Sequence, residues 1–332
     1  MKVCVYFQPK ESKDNFEGAR LRENIKGSLK SNNIAYASNV VDEYDVIHFL
    51  SMDDLLKIND ATESNIPTFI SALNCESDDS ANFLTEKNGN YVLSPKAKRV
   101  LNKVDSVIVS DETSKHLLIE LGVKKRIDVI SPGVDPSRFE FDDDNKDIFY
   151  QYYQIEKSKK IVAIIGTYDD KNTPKKLIHI ANMCPNYVFF YFGNARALKL
   201  FHQNTKMPAN VRLCQITNNE IYCSMMANAS IYLALDNSKH SPITLLDAMA
   251  SKTQIVALSP TLLNEELLKL GHAYIGKDED EVASYINKLY NGELKDNSEV
   301  AYQYACDNSL KNVGKKLLKI YQRELDRRKE ND

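Results

Sequence analysis

The chain has 332 residues, of which 43% are hydrophobic and 27% are charged, and this composition excludes a disordered or fibrous protein. Its net charge of −3 excludes an overall basic surface for nucleic acid, and no apolar run reaches the roughly 18 residues that span a bilayer. The length predicts two domains, and the N-terminus turns polar too early for a signal peptide, so we expect a cytoplasmic protein.

Strand-like runs alternate with helical ones in the first half of the chain. The predicted strands cover residues 2–7, 34–41, 46–51, 66–73, 105–110 and 128–131. The predicted helices cover residues 17–31, 52–59, 93–103 and 112–121, and Gly122 ends the last of them. Near-continuous apolar strands that alternate with helices indicate a parallel sheet covered on both faces.

The second half of the chain repeats this pattern. Its predicted strands cover residues 159–166, 186–193, 211–216, 229–235, 254–259 and 273–276. We expect an α/β protein of two doubly wound, Rossmann-like domains facing a cleft, with ligands at the carboxyl ends of the strands. The expected divisions are a first domain at 1–140, a linker at 141–158, a second domain at 159–310 and a basic helix at 311–332. The expected apolar positions of that helix are Val313, Leu317, Leu318 and Tyr321.

The segment "SPITLLDAMA", residues 241–250, predicts a helix with an acid in its middle. Ser241 is a good N-cap, and Pro242 suits the first helical position. Helical spacing predicts one buried face, formed by Ile243, Leu246, Met249 and Ala250. Asp247 interrupts this run, and aspartate is rarely buried without a partner. A ligand-binding carboxylate and a solvated helix residue are the two interpretations.

The cysteines and histidines give no sign of a metal site. No C-x-x-C pair or H-x-x-x-H spacing occurs, and Cys4 and Cys214 are expected to be small buried hydrophobes. The sequence also lacks the G-x-G of dinucleotide-binding folds and the Gly-Lys-Ser/Thr of the Walker A loop.

Three segments are the most diagnostic in the chain. The first is a "PxGVDxxxF" turn formed by Pro132, Gly133, Val134, Asp135 and Phe139. Gly133 would adopt the positive φ of a tight turn, and Asp135 would accept hydrogen bonds from backbone amides beyond it. The second segment runs from the strand before Gly166 to the corner at Gly193, and the third is "SPITLLDAMASKTQIVALS". In this order, the three segments resemble GT-B glycosyltransferases of family 4, and Gly18 after the first strand also matches that family's pattern.

The resemblance implies a site for a nucleotide-diphosphate sugar in the second domain. Gly166 and Lys171 fall near the family's loop glycine and its lysine for the donor diphosphate. Asp247 aligns with the glutamate that holds the ribose hydroxyls. The amides around Ile243 and Thr244, with the helix dipole, would form an anion site for the diphosphate. The resemblance also implies that the C-terminal helix packs back toward the first domain.

Three polar positions depart from the family pattern. Thr167 replaces the loop arginine, and Lys239 replaces the first of the two glutamates. Leu73 and Asn74 stand where a histidine near the acceptor is usual, while His48 lies one strand earlier. Lys239 would restore the cation lost at residue 167 and join Lys171 in holding the diphosphate. The alternative is an ordinary exposed lysine.

The resemblance implies a retaining glycosyltransferase that needs no cofactor and moves a hexose to a lipid or glycan acceptor. Within the family, the chain is most similar to bacterial enzymes that glycosylate diacylglycerol lipids. Two basic segments would contact anionic lipid: residues 17–33, with Arg20, Arg22, Lys26 and Lys30, and residues 95–104. The alternative is that both are ordinary solvated helix faces. A degenerate, non-catalytic partner subunit is the alternative function. A solute-binding protein disagrees with the motifs.

Turnover is expected to survive EDTA, because the sequence has no His/Asp cluster with metal-ligand spacing apart from the acidic run 142–144 in the linker. The measurement is the initial rate with and without chelator. A rate that EDTA abolishes and Mn²⁺ or Mg²⁺ restores would contradict this expectation.

Overall fold

The computed structural model describes most of the chain. The described residues are 1–7, 16–52, 54–73, 84–87, 90–141, 146–166, 173–193, 207–215, 218–235, 242–259, 268–269 and 271–330. They form two compact units. The first unit comprises residues 1–134, 241–243 and 307–332, and the second comprises residues 135–240 and 244–306.

The strands and helices follow one another in the predicted alternation. The strands are β1 Lys2–Tyr6, β2 Ala35–Ala37, β3 Val46–Phe49, β4 Thr68–Ser71, β5 Leu84–Lys87, β6 Asn90–Leu93, β7 Ser106–Val109, β8 Arg126–Val129, β9 Lys160–Ile165, β10 Tyr187–Phe192, β11 Val211–Cys214, β12 Ile231–Ala234, β13 Gln254–Leu258 and β14 Ala273–Gly276. The helices are α1 Phe16–Lys30, α2 Leu55–Glu63, α3 Pro95–Leu101, α4 Glu112–Glu120, α5 Ile148–Tyr153, α6 Thr173–Met183, α7 Asn219–Asn228, α8 Pro242–Ala250, α9 Glu279–Tyr290, α10 Ser298–Asp307 and α11 Leu310–Lys329.

The first unit contains a six-stranded parallel sheet in the order β2-β1-β3-β4-β7-β8. The strand order reverses between β1 and β3, which makes that junction a topological switch point. Side chains on both faces are buried, and Cys4 lies among them as a small hydrophobe, as predicted. The antiparallel hairpin of β5 and β6 was not predicted, because its residues carry no long apolar run.

The second unit repeats this architecture in the order β11-β10-β9-β12-β13-β14. All pairs are parallel, and the order reverses between β9 and β12. Cys214 is buried at the end of β11, as predicted. Each unit is therefore a doubly wound α/β fold, which confirms the fold class expected from the sequence.

The C-terminal helix α11 belongs to the first unit and packs along α1. Its buried positions include Val313, Leu317, Ile320 and Tyr321. The fourth apolar position, Leu318, is 37% exposed, because it lies about 100° around the helix from Leu317. A Cβ on Gly314 would overlap the carbonyl group of Ser28, so the two helices cross at a glycine.

Ion pairs fix the last turns of α11 to the sheet of the first unit. Arg323 binds Asp128 through both terminal nitrogens, at 3.1 and 2.7 Å. Arg327 and Arg328 each bind Asp105 at 2.7 Å. Hydrogen bonds from Arg323 and Ser106 lower the pKa of the Asp128 carboxyl, although burial opposes them.

Of the four cations predicted for the basic face of α1, Arg20 is the one that the structure removes from the surface. Arg20 is buried, so it presents no charge to the surface. Arg22 and Lys26 lie beside Glu23, at 3.3 and 3.6 Å, and that carboxylate offsets part of their charge. Among the described residues, no helix is long and apolar enough to cross a membrane.

Candidate functional site

The switch point of the second unit lies between β9 and β12. Strand β9 runs into Gly166, and β12 leads through residues 236–241 into α8. Because parallel strands end at the same edge of a sheet, the segments that follow them begin side by side. Four predicted site residues belong to these segments and lie outside the described residues: Thr167, Lys171, Lys239 and Ser241.

Helix α8 follows β12 along the sequence and has Pro242 as its first residue, as predicted. The expectation of one buried face was too narrow, because every residue from Ile243 to Ala250 is buried. A helix that is buried on all sides and is mostly apolar suits an interior position. In an α-helix the N–H groups of the first turn make no bond within the helix, and this end carries the positive end of the helix dipole, which favours an anion.

Thr244 adds a side-chain group to this helix end. It is 3% exposed, and its hydroxyl has no hydrogen-bond partner among the described residues. A buried hydroxyl without a partner costs about 1–3 kcal/mol, so a ligand oxygen is a suitable partner. The chemistry of this helix end, amides plus a hydroxyl, fits a phosphate group.

Asp247 lies one turn further along α8. It is 0% exposed, which rules out the interpretation as a solvated helix residue. The Tyr222 hydroxyl of α7 donates to its Oδ2 at 2.7 Å. The carboxylate therefore ties α8 to α7, and this structural role stands beside the ribose-binding role expected from the sequence.

Gly166 and Gly193 close the neighbouring strands of the same sheet. The Gly166 N–H donates to the Phe192 carbonyl at 2.9 Å, and the Gly193 N–H donates to the Cys214 carbonyl at 3.0 Å. A Cβ on Gly166 would overlap the hydroxyl end of Tyr191. Close packing against Tyr191 is thus enough to explain why residue 166 is a glycine. The expected approach of Gly166 to a phosphate stays a prediction.

Two predicted site glycines lie in the first unit. Gly18 is buried in the first turn of α1. Gly133 has the predicted positive φ, 79°, and its carbonyl accepts a hydrogen bond of 2.7 Å from the buried Asn24 amide. Asp135 caps the next turn as predicted, because its Oδ1 accepts from the Ser137 N–H at 3.2 Å. These contacts do not test the expected role of Gly18 and Gly133 in substrate binding, which stays a prediction.

Sequence reasoning missed Tyr222. The available signal was a tyrosine in a buried helical run, since a buried phenol usually needs a hydrogen-bond partner. Its partner lies 25 residues away on another helix, so no local pattern identifies it.

Comparisons with known proteins agree with this architecture. Residues 145–305 match the sequence profile of the family described as "Glycosyl transferases group 1". A relative from Acholeplasma laidlawii, a "Processive diacylglycerol alpha-glucosyltransferase", is 23% identical over 97% of this chain and 98% of its own length.

Solved structures resemble the chain over nearly its whole length. Anabaena HepE, solved in complex with UDP-glucose, has a TM-score of 0.76 at 14% identity, with 97% and 99% of the two chains covered. Sucrose-phosphate synthase from Thermosynechococcus elongatus has a TM-score of 0.72 at 11% identity, with 98% and 99% covered. These likenesses show the fold. The chain is a glycosyltransferase with the GT-B fold, and its residues 145–305 match the glycosyl transferases group 1 family.

Proposed function

We propose that the protein transfers a hexose from a uridine-diphosphate sugar to a lipid acceptor of the diacylglycerol class, with retention of the anomeric configuration. The observation that carries the donor site is the beginning of α8 at the switch point, where the Thr244 hydroxyl is buried without a described partner. The name of the A. laidlawii relative supports the acceptor, and the UDP-glucose complex of HepE supports the donor.

The reaction needs stabilisation of a leaving diphosphate. The bond from the anomeric carbon to the β-phosphate oxygen breaks, and a bond to the acceptor hydroxyl oxygen forms on the same face of the sugar. The acceptor proton passes to the departing diphosphate. The α8 amides and the Thr244 hydroxyl would stabilise the developing negative charge, with Lys171 and Lys239 as cations, and such preorganised electrostatics is usually the largest catalytic effect.

A thermal-shift screen with UDP, GDP and their sugars tests the donor. Ligand at about 100 times its Kd should stabilise the protein by about 2.7 kcal/mol. Transfer from UDP-α-glucose to dioleoylglycerol in mixed micelles then tests the acceptor, and NMR of the product gives the anomeric configuration. A β-linked product would overturn retention. Binding of no nucleotide would favour the non-catalytic partner subunit.

Lys239 and Thr167 are expected to be coupled through the donor diphosphate. Lys239→Glu should weaken UDP binding, because it replaces a cation with a carboxylate near the phosphates. Thr167→Arg combined with Lys239→Glu should recover binding, with a coupling of about 0.5–3 kcal/mol. Calorimetry of the two single variants and the double variant measures it. Strictly additive effects would make Lys239 an ordinary surface lysine.

We also infer a cytoplasmic location with peripheral membrane contact through α3 rather than α1. Lys98 and Arg99 of α3 are exposed. Each cation near an anionic surface contributes about 1 kcal/mol. Lys98→Glu with Arg99→Glu should therefore reduce co-sedimentation with phosphatidylglycerol vesicles strongly. The matched pair Lys159→Glu with Lys295→Glu, exposed residues of the second unit, should reduce it little. Equal losses would remove α3 from the contact.

A further inference from the structure

A buried histidine joins the C-terminal helix to the sheet of the first unit. His48 lies in β3 with no exposed surface. Its Nδ1 is 2.7 Å from the Tyr321 hydroxyl of α11, and its Nε2 is 2.8 Å from the Ser71 hydroxyl. The Tyr321 ring also packs edge-on against Phe69 of β4, with 4.9 Å between the ring centres. All of these residues are buried, so both ring nitrogens of His48 are satisfied by protein hydroxyls.

This chain of hydrogen bonds holds its members in fixed orientations. Burial lowers the pKa of His48 to about 3 and raises the pKa of Tyr321, so both groups stay neutral at working pH. A neutral imidazole donates through one nitrogen and accepts through the other. One hydroxyl must therefore donate to the ring while the other accepts from it. Because both ring nitrogens are engaged by hydroxyls and burial lowers the pKa of the imidazole, His48 takes up a proton poorly, so its contribution is orientation.

The chain of hydrogen bonds from Tyr321 through His48 ends with Ser71, at the carboxyl edge of the first sheet. Ser71 is the last residue of β4, and Ala72 then donates to the Ile108 carbonyl at 2.9 Å. Leu73 follows with a φ of 60°, in the left-handed region. This conformation costs a side-chain-bearing residue about 1–2 kcal/mol and persists only where its surroundings enforce it. Residues held in this way are frequent at functional sites.

Strand β4 pairs with β3, which lies at the switch point of the first sheet. Ligands of doubly wound folds bind at this edge. We propose that Tyr321, His48 and Ser71 are positioning residues that hold the backbone of Ala72 and Leu73 in the conformation that receives the lipid acceptor. This inference rests on the proposed function. Through the hydrogen bonds from Tyr321 to His48 and Ser71, the C-terminal helix would set acceptor affinity without contacting the acceptor.

Acceptor kinetics with conservative variants test the inference. In the UDP-glucose and dioleoylglycerol assay, Tyr321→Phe and Ser71→Ala should each raise the acceptor KM about three- to tenfold, the equivalent of one lost hydrogen bond. Ser71→Thr keeps the hydroxyl and should stay within about twofold of wild type. The Kd for UDP, measured by calorimetry, should change less than about twofold in all three variants, since none of them alters Thr244 or Asp247 of the proposed donor site.

Hydrogen exchange of the full-length protein supplies a readout independent of transfer. Peptides that cover residues 68–73 should exchange faster in Tyr321→Phe and Ser71→Ala than in wild type or Ser71→Thr. Leu317→Ala serves as a control that destabilises the same helix and keeps every hydrogen-bonding group of the His48 chain. Unchanged exchange at 68–73, or an equal rise of acceptor KM in Leu317→Ala, would overturn the positioning role. A wild type that binds UDP but glycosylates no lipid would overturn the proposed function alone, and the exchange comparison would still decide the positioning.

Discussion

Truncation after Leu310 is expected to unfold the first unit. The deletion removes four large side chains that are buried in this unit: Val313, Leu317, Ile320 and Tyr321. Losing one such side chain costs about 2–5 kcal/mol, and the whole stability of a domain is about 5–15 kcal/mol. The deletion also leaves Asp105 and Asp128 without their arginine partners on α11. Circular dichroism during urea unfolding measures the loss.

Two adjacent leucines give this prediction a matched test. Leu317 is 0% exposed and Leu318 is 37% exposed, although the two residues are chemically identical. Leu317→Ala should lower the free energy of unfolding by about 2–5 kcal/mol, and Leu318→Ala by no more than about 0.5 kcal/mol. Equal losses, or a truncated chain as stable as the full one, would contradict the docking of α11 onto the first unit.

Asp247→Ala is expected to weaken UDP binding by about 1–3 kcal/mol, roughly a 5- to 150-fold rise in Kd. The physical reason is the loss of a carboxylate that would accept hydrogen bonds from both ribose hydroxyls. The variant also leaves the Tyr222 hydroxyl without the acceptor that it contacts at 2.7 Å. Isothermal titration calorimetry measures the affinity, and thermal unfolding measures the stability of the variant.

Tyr222→Phe separates the two roles of Asp247. It removes the bond between α7 and α8 but keeps the carboxylate, so UDP affinity should fall much less than in Asp247→Ala. Both variants should lose stability, since each leaves a polar group of the pair in the interior with a partner missing. Unchanged affinity in Asp247→Ala together with lowered stability would leave Asp247 a structural residue only.

The sequence by itself determined the features that depend on neighbouring residues. Alternating apolar strands and helices predicted two doubly wound sheets, because each strand needs covering on both faces. Pro242 predicted the first residue of α8, and Gly133 predicted the positive φ of its turn, because both follow from the backbone preferences of a single residue. The order of the motifs also indicated the GT-B family correctly.

Only the tertiary structure decided which side chains meet. The Tyr222–Asp247 pair, the burial of Arg20, and the choice of Leu317 over Leu318 all depend on partners distant in the sequence. A helical pattern predicts that an apolar face exists, but a shift of one residue rotates that face by about 100°, and the packed neighbour selects the phase. The His48 chain has the same origin: its three members lie on β3, β4 and α11, and the packing of α11 against the sheet brings them within hydrogen-bond distance.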